Sequence, residues 1–306
     1  MIHLAKPFFG SEEKQAVMDV LDSGMIASGA AVEEFQAKFA KYCGAPFGVA
    51  ASSGTTALEV MLRAAGIGKG DRVLTTPFSF IASTNCILHA GAEPVFADID
   101  PVSFNLSPEA AEEKLKADPG VKAILLVHLF GHPCDMDAFA ALAEKYGVTL
   151  FEDCAQAHGA AHKGKKAGSF GAAAAFSFYP TKNMTTSEGG IVVTDSEEIA
   201  GRARLLVNHG MKTRYYHDEI GYNYRMTNIA AAIGLCQLEK LEGFNEKRRG
   251  VAAFYGSRIN NPIVSLPVSH ESGQLRDGAT IMRQDVPEIF HVGVFRFPQI
   301  FQGFIP

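Results

Sequence analysis

Residues 121–153 read VKAILLVHLFGHPCDMDAFAALAEKYGVTLFED, and their pattern decides the fold. Ala123–Val127 is apolar without alternation, as a strand covered on both faces must be. Met136–Tyr146 repeats apolar residues at helical spacing, and Thr149–Glu152 is a second short apolar run. Strand, helix, strand is the crossover unit of a parallel sheet, because parallel neighbours cannot be joined by a tight turn. The same rhythm runs outward. Upstream, helices are predicted over Ser11–Ser23, Ala31–Tyr42, Thr55–Ala65, Ala82–His89 and Pro108–Lys116. The strands between them are Phe47–Ala51, Arg72–Thr75 and Pro94–Ala97. Downstream come two short strands, Ala175–Phe178 and Gly190–Thr194, then a helix over Glu197–Val207. Two further helical segments, Asn228–Leu241 and Asn245–Ile259, are expected to carry the chain out of the sheet. Ligands of such α/β sheets gather at the carboxyl ends of the strands, so informative residues should follow strands directly.

The 306 residues, 47% of them hydrophobic, suffice for one large domain and a smaller one. The division is expected at 1–240 and 241–306. A net charge of −5 gives no basic footprint, which argues against nucleic acid as a partner. Five scattered cysteines without C-x-x-C spacing imply neither a disulfide framework nor a zinc site, and suit a reducing compartment. No apolar stretch approaches the ~20 residues of a membrane span and no leader pattern opens the chain, so a cytoplasmic protein is expected. His158 and His162 are four apart, yet Gly159 lies between them and no third ligand follows, so no metal is expected. Gly66–Asp71 runs from helix to strand and reads as a turn rather than a phosphate loop.

Three constellations carry chemistry. Ser52-Ser53-Gly54-Thr55-Thr56-Ala57-Leu58 follows a strand and opens a helix, where unpaired N–H groups and the helix dipole favour an anion. An ordinary N-cap would read the same. Phe151-Glu152-Asp153-Cys154-Ala155-Gln156 ends an apolar strand in an acid, and a carboxylate there can hold a heteroaromatic ring nitrogen protonated. Gln156 could reach the same ligand, and a turn-capping Asp153 is the plainer alternative. Lys182 follows a strand within Tyr179-Pro180-Thr181-Lys182-Asn183-Met184-Thr185-Thr186-Ser187-Glu188-Gly189-Gly190. A buried lysine can form a Schiff base with an aldehyde, whereas most loop lysines are merely solvated. In combination the three supply what pyridoxal phosphate needs: a phosphate anchor, a pyridinium partner and a Schiff-base amine.

Five segments carry a resemblance to a known family: SSGTTAL at 52–58, PFSFIAST at 77–84, EDCAQAHGA at 152–160, SFYPTKNMTTSEGG at 177–190 and GYNYRMTNIAAAIG at 221–234. Over roughly residues 1–255 the chain resembles the DegT/DnrJ/EryC1/StrS sugar aminotransferases. The resemblance implies pyridoxal-phosphate fold type I: an aspartate-aminotransferase-like α/β/α sandwich with a mostly parallel sheet and a small C-terminal domain. It implies Lys182 as the covalent lysine, Asp153 as partner of the ring nitrogen and Gln156 near the phenolic oxygen. Gly54, Thr55 and Ser177 would bind phosphate, and Phe80 would stack on the ring. Asn223 would reach the phosphate of a neighbouring subunit, so the implied assembly is a homodimer with shared active sites. The implied reaction moves an amino group, commonly from glutamate, to a keto-sugar nucleotide in amino-sugar, surface-polysaccharide or secondary-metabolite biosynthesis. Relatives that dehydrate sugars carry histidine at the lysine position, and Lys182 speaks against that activity.

Two departures from the family pattern stand out. Ser187 occupies the place of the usual glycine before Glu-Gly-Gly; a positive φ there would cost serine about 1–2 kcal/mol. After about residue 265 the family pattern ends, in a segment with five phenylalanines between Phe290 and Phe304. The C-terminal domain is therefore expected to be incomplete, truncated or frame-altered, with an inactive protein that keeps the fold as the alternative function. Tyr215-Tyr216-His217 suits a sugar site and a subunit boundary equally.

Overall fold

The computed structural model describes residues 6–260 and Leu266. Helices α1 (Ser11–Ser23) and α2 (Ala30–Cys43) lead into strand β1 (Phe47–Ala51) and helix α3 (Gly54–Ala64). Then β2 (Arg72–Thr75), α4 (Ala82–Ala90), β3 (Glu93–Phe96), α5 (Pro108–Ala117), β4 (Val121–Val127), α6 (Met136–Tyr146) and β5 (Thr149–Asp153) alternate as predicted. A small hairpin, β6 (Ala161–His162) and β7 (Lys165–Lys166), precedes β8 (Ala173–Ser177), β9 (Gly190–Thr194) and α7 (Glu197–Val207). A second hairpin, β10 (Met211–Thr213) and β11 (Tyr216–His217), leads to α8 (Asn228–Arg258).

Seven strands form one sheet in the order β1-β9-β8-β5-β4-β2-β3. Only β9 runs against the rest, pairing antiparallel with both β1 and β8. Alternate residues of β4 enter opposite cores. Ala123 and Leu125 pack with α3, α4 and α7, while Ile124 and Leu126 pack with α5 and α6. On that second face, Ala174, Phe176, Ile191 and Val193 meet α2 and α8. Both faces are covered, which is why the strands read as continuous apolar runs. The expected α/β/α sandwich is present.

The hairpins β6–β7 and β10–β11 were not expected, and one predicted pair of elements is merged. The two segments predicted after residue 228 are a single 31-residue helix, α8, unbroken through Gly243. The expected boundary at 240/241 thus falls inside an element. Gly243 meets nothing within 4 Å and keeps the helical backbone, so it interrupts the pattern without ending the helix. Among the described residues no helix is long and apolar enough to cross a membrane. The expectations for the tail after residue 266 lie outside the described residues.

Candidate active site

The carboxyl ends of β1, β4, β5 and β8 border one cavity of about 380 Å³, inside the ~300–1,000 Å³ range of small-molecule sites. It is lined by Gly54, Thr55, Phe80, Asp153, Gln156, Ser177 and Lys182, seven of the eight residues the sequence singled out. The eighth, Asn223, is exposed, bridges to Asn208, and does not line the cavity of its own chain. Tyr215 and Tyr216 are exposed on the β10–β11 hairpin, outside the cavity lining.

The end of the cavity beside β1 is built by the start of α3. Ser53 caps the helix by accepting from the Thr56 N–H at 3.1 Å, and the Thr56 hydroxyl accepts from the Ser53 N–H at 3.0 Å. The Ala57 N–H is taken by the Ser53 carbonyl. That leaves the N–H groups of Gly54 and Thr55 without a partner among the described residues. Both residues line the cavity. A Cβ on residue 54 would come within 2.5 Å of Ser177 Cβ, so glycine is what lets β8 and α3 converge here.

Asp153 ends β5 and is only 4% exposed. Its Oδ2 accepts from Ser83 Oγ at 2.7 Å and its Oδ1 from the Ala155 N–H at 3.0 Å. Asp153 therefore does cap the following turn, while its carboxylate also faces the cavity. Burial pushes its pKa up, and the hydrogen bonds from Ser83 and Ala155 and the charge of Lys182 act against that shift. Gln156 is held through Oε1, which accepts from the Phe130 N–H at 2.6 Å, leaving its amide N–H groups as the free donors.

Lys182 stands on the β8–β9 connection, whose backbone is tied at several points. The Phe178 N–H donates to the Gly189 carbonyl and the Thr186 N–H to the Phe178 carbonyl. The Phe178 ring sits in an aromatic cluster with Phe35 and Phe39 at centroid distances of 5.2 and 5.1 Å. From α8, Asn245 Oδ1 accepts from Asn183 Nδ2 at 2.9 Å, and Arg248 donates to the Asn183 carbonyl. Burial lowers the Lys182 pKa, and the charge of Asp153 opposes that. The two groups thus lie within electrostatic reach across one cavity. Ser187 has φ +74°, so the condition for its strain is met.

Sequence reasoning missed several contributors. Ser79, Tyr179 and Glu188 also line the cavity, and Ser83 lies behind it. Below the site, Glu152 is fully buried and accepts from the N–H groups of Gly168, Phe170 and Gly171, each at 2.8 Å. His128 Nδ1 accepts from the Cys134 N–H, so Nε2 carries the proton toward Glu152 at 2.9 Å. Burial would raise Glu152, yet the bonds from His128, Gly171 and Gly168 hold it below the usual carboxylate range. The strand-end position of Asp153 could have drawn attention to Glu152 one residue earlier, on the opposite face of β5.

Residues 7–279 match the profile described as the DegT/DnrJ/EryC1/StrS aminotransferase family. The chain belongs to that family. The match runs past residue 255, where the motif resemblance ends. A GDP-perosamine synthase of Caulobacter vibrioides is 41% identical over 279 residues, which cover 88% of this chain and 75% of that protein. The solved structure of S. venezuelae DesV in complex with a ketimine intermediate superposes with a TM-score of 0.80 at 39% identity, covering 85% of this chain and 70% of that one. A GDP-4-keto-6-deoxymannose-3-dehydratase, ColD, solved with bound GDP-perosamine, reaches a TM-score of 0.82 at 29% identity, covering 87% and 75%. The architecture of the family is the fold type I sandwich that the sequence led us to expect.

Proposed function

We propose that this protein is a pyridoxal-phosphate-dependent aminotransferase that moves an amino group from a small donor, glutamate by family resemblance, to the keto carbon of a sugar nucleotide. The observation that carries the reading is one cavity shared by Lys182, Asp153 and the unpaired N–H groups of Gly54 and Thr55. These groups fit the cofactor: a helix N-terminus for its phosphate, with Ser177 beside Gly54, an acid for its ring nitrogen and an amine for its aldehyde. Phe80 would cover the ring, and Gln156 would donate to its phenolic oxygen. When bound, the cofactor supplies an electron-withdrawing ring to the carbon that carries the amino group.

The protein's own residues supply the rest. Burial lowers Lys182, so its Nζ is neutral and nucleophilic at a lower pH than that of an exposed lysine. With the cofactor bound, Nζ would be the group that moves a proton between the two carbons concerned. Asp153, whose charged form the Ser83 and Ala155 contacts favour, would keep a proton on the ring nitrogen. Leu58 and Val127 present apolar walls that limit water in the cavity. Asn223 would serve the phosphate of a second subunit, making a homodimer with shared sites part of the same reading, and the setting proposed is the cytoplasm. ColD shares the fold and dehydrates its sugar; the lysine at position 182 favours amino transfer here.

Protein incubated with pyridoxal phosphate should retain it through dialysis, and borohydride should fix it to Lys182 in a peptide map. Lys182→Ala should lower amino transfer from glutamate to keto-sugar nucleotides by about 10²–10⁴-fold. Retention without transfer to any keto-sugar nucleotide would favour an inactive member of the family. No retention would reject the reading altogether.

A further inference from the structure

Ser83 does not line the cavity, is 1% exposed, and donates to Oδ2 of Asp153 at 2.7 Å from the second residue of α4. A serine hydroxyl has one proton. With it directed at Asp153, Ser83 Oγ is the acceptor in its 2.7 Å contact with Ser79 Oγ. Ser79 does line the cavity. Two hydroxyls therefore link the cavity wall to the back of the carboxylate. On the other side, the Ala155 N–H holds Oδ1. A carboxylate gripped at both oxygens cannot rotate, and its remaining lone pairs are aimed.

We infer that Ser83 is a positioning residue for the reaction: its hydroxyl, backed by Ser79, fixes the orientation and the charge of the Asp153 carboxylate that meets the ring nitrogen. The inference rests on the pyridoxal-phosphate reading above. Its physical basis is that a carboxylate out of water tends to take up a proton, and donors to its charged form oppose this. Among the contacts that counter the burial of Asp153, the bond from Ser83 is the largest. The titratable groups facing Asp153 are Lys182 from the β8–β9 connection, His128 beyond β4, Cys86 on α4 and the adjacent Cys154. None of these donates a hydrogen bond to Oδ2; Ser83 alone among the described residues does. A neutral Asp153 could not hold the ring proton by charge. Without Ser83, the acid would become neutral at a higher pH.

The test compares cofactor-loaded wild type with Ser83→Ala, Ser83→Thr and Ser79→Ala. Its readouts are the kcat and KM pH profiles and the absorbance of the bound cofactor against pH. Ser83→Ala should lower kcat roughly 10- to 100-fold, with donor KM within about twofold. Its acidic limb and its absorbance transition should both move up by roughly one pH unit. Ser83→Thr keeps the hydroxyl and should return kcat to within about threefold of wild type. If Ser83→Ala does not fold, Ser79→Ala decides, with a shift in the same direction of roughly 0.3 pH unit. Wild-type kcat and limb in Ser83→Ala, or no rescue by threonine, would overturn the inference while leaving the assigned activity intact. A wild type that retains no cofactor would instead overturn both.

Discussion

Ser187 has φ +74° with its side chain in solvent, and its N–H is taken by the Thr185 hydroxyl at 3.0 Å. An L-residue pays about 1–2 kcal/mol in that region, while a glycine there loses about 0.5–1 kcal/mol of chain entropy. Ser187→Gly is therefore expected to stabilise the protein by about 0.5–1 kcal/mol, read as a higher urea midpoint at unchanged slope; a lower midpoint would mean that the serine makes a compensating contact. The cost of this residue was legible in advance as a departure from the family pattern. The roles of Ser83 and Glu152 were not. Ser83 is an unremarkable hydroxyl in PFSFIAST, and its partner lies 70 residues away. His128 and Glu152 are 24 residues apart and meet because β4 and β5 pair in parallel with Leu126 opposite Glu152. No local period announces a contact that only sheet register creates.

At the level of elements, period located the seven strands of the central sheet because that sheet is covered on both faces, but not the short, more exposed hairpins β6–β7 and β10–β11. α8 shows where period fails. Glu242-Gly243-Phe244 reads as a break because glycine commonly ends helices in a left-handed conformation. Gly243 has no such conformation and no neighbour within 4 Å. Gly234 in the same helix is different, since a Cβ there would approach the Phe35 ring at 2.8 Å, so it permits α2 and α8 to pack closely. Gly243→Ala should accordingly raise stability by about 0.5–1 kcal/mol, whereas loss of stability would reveal a break at that point. The continuity of α8 has a functional side. Its second half braces the lysine-bearing connection through Asn245 and Arg248, so residues assigned by sequence to a second domain support the site of the first.

At the scale of the whole molecule, the proposed homodimer with shared sites makes a quantitative prediction. Lys182→Ala subunits and Asn223→Ala subunits, each impaired alone, should form mixed dimers in which one of the two sites is intact. Random re-association at equal ratios should then restore about a quarter of wild-type activity, and a monomer or unshared sites would restore none. The sheet itself adds a constraint. Because β9 alone is reversed, the connection that bears Lys182 leaves the ligand edge of the sheet and returns to the same edge. Ala51 of β1 and Ser177 of β8 both pair with Gly190, the first residue of β9. An insertion between residues 178 and 189 would fall in a span whose two ends are both fixed by the pairing of Ser177 with Gly190. The reach of the Lys182 nitrogen is thus set like the length of a bridge, by its abutments, and the spacing of three strands is the ruler that measures it.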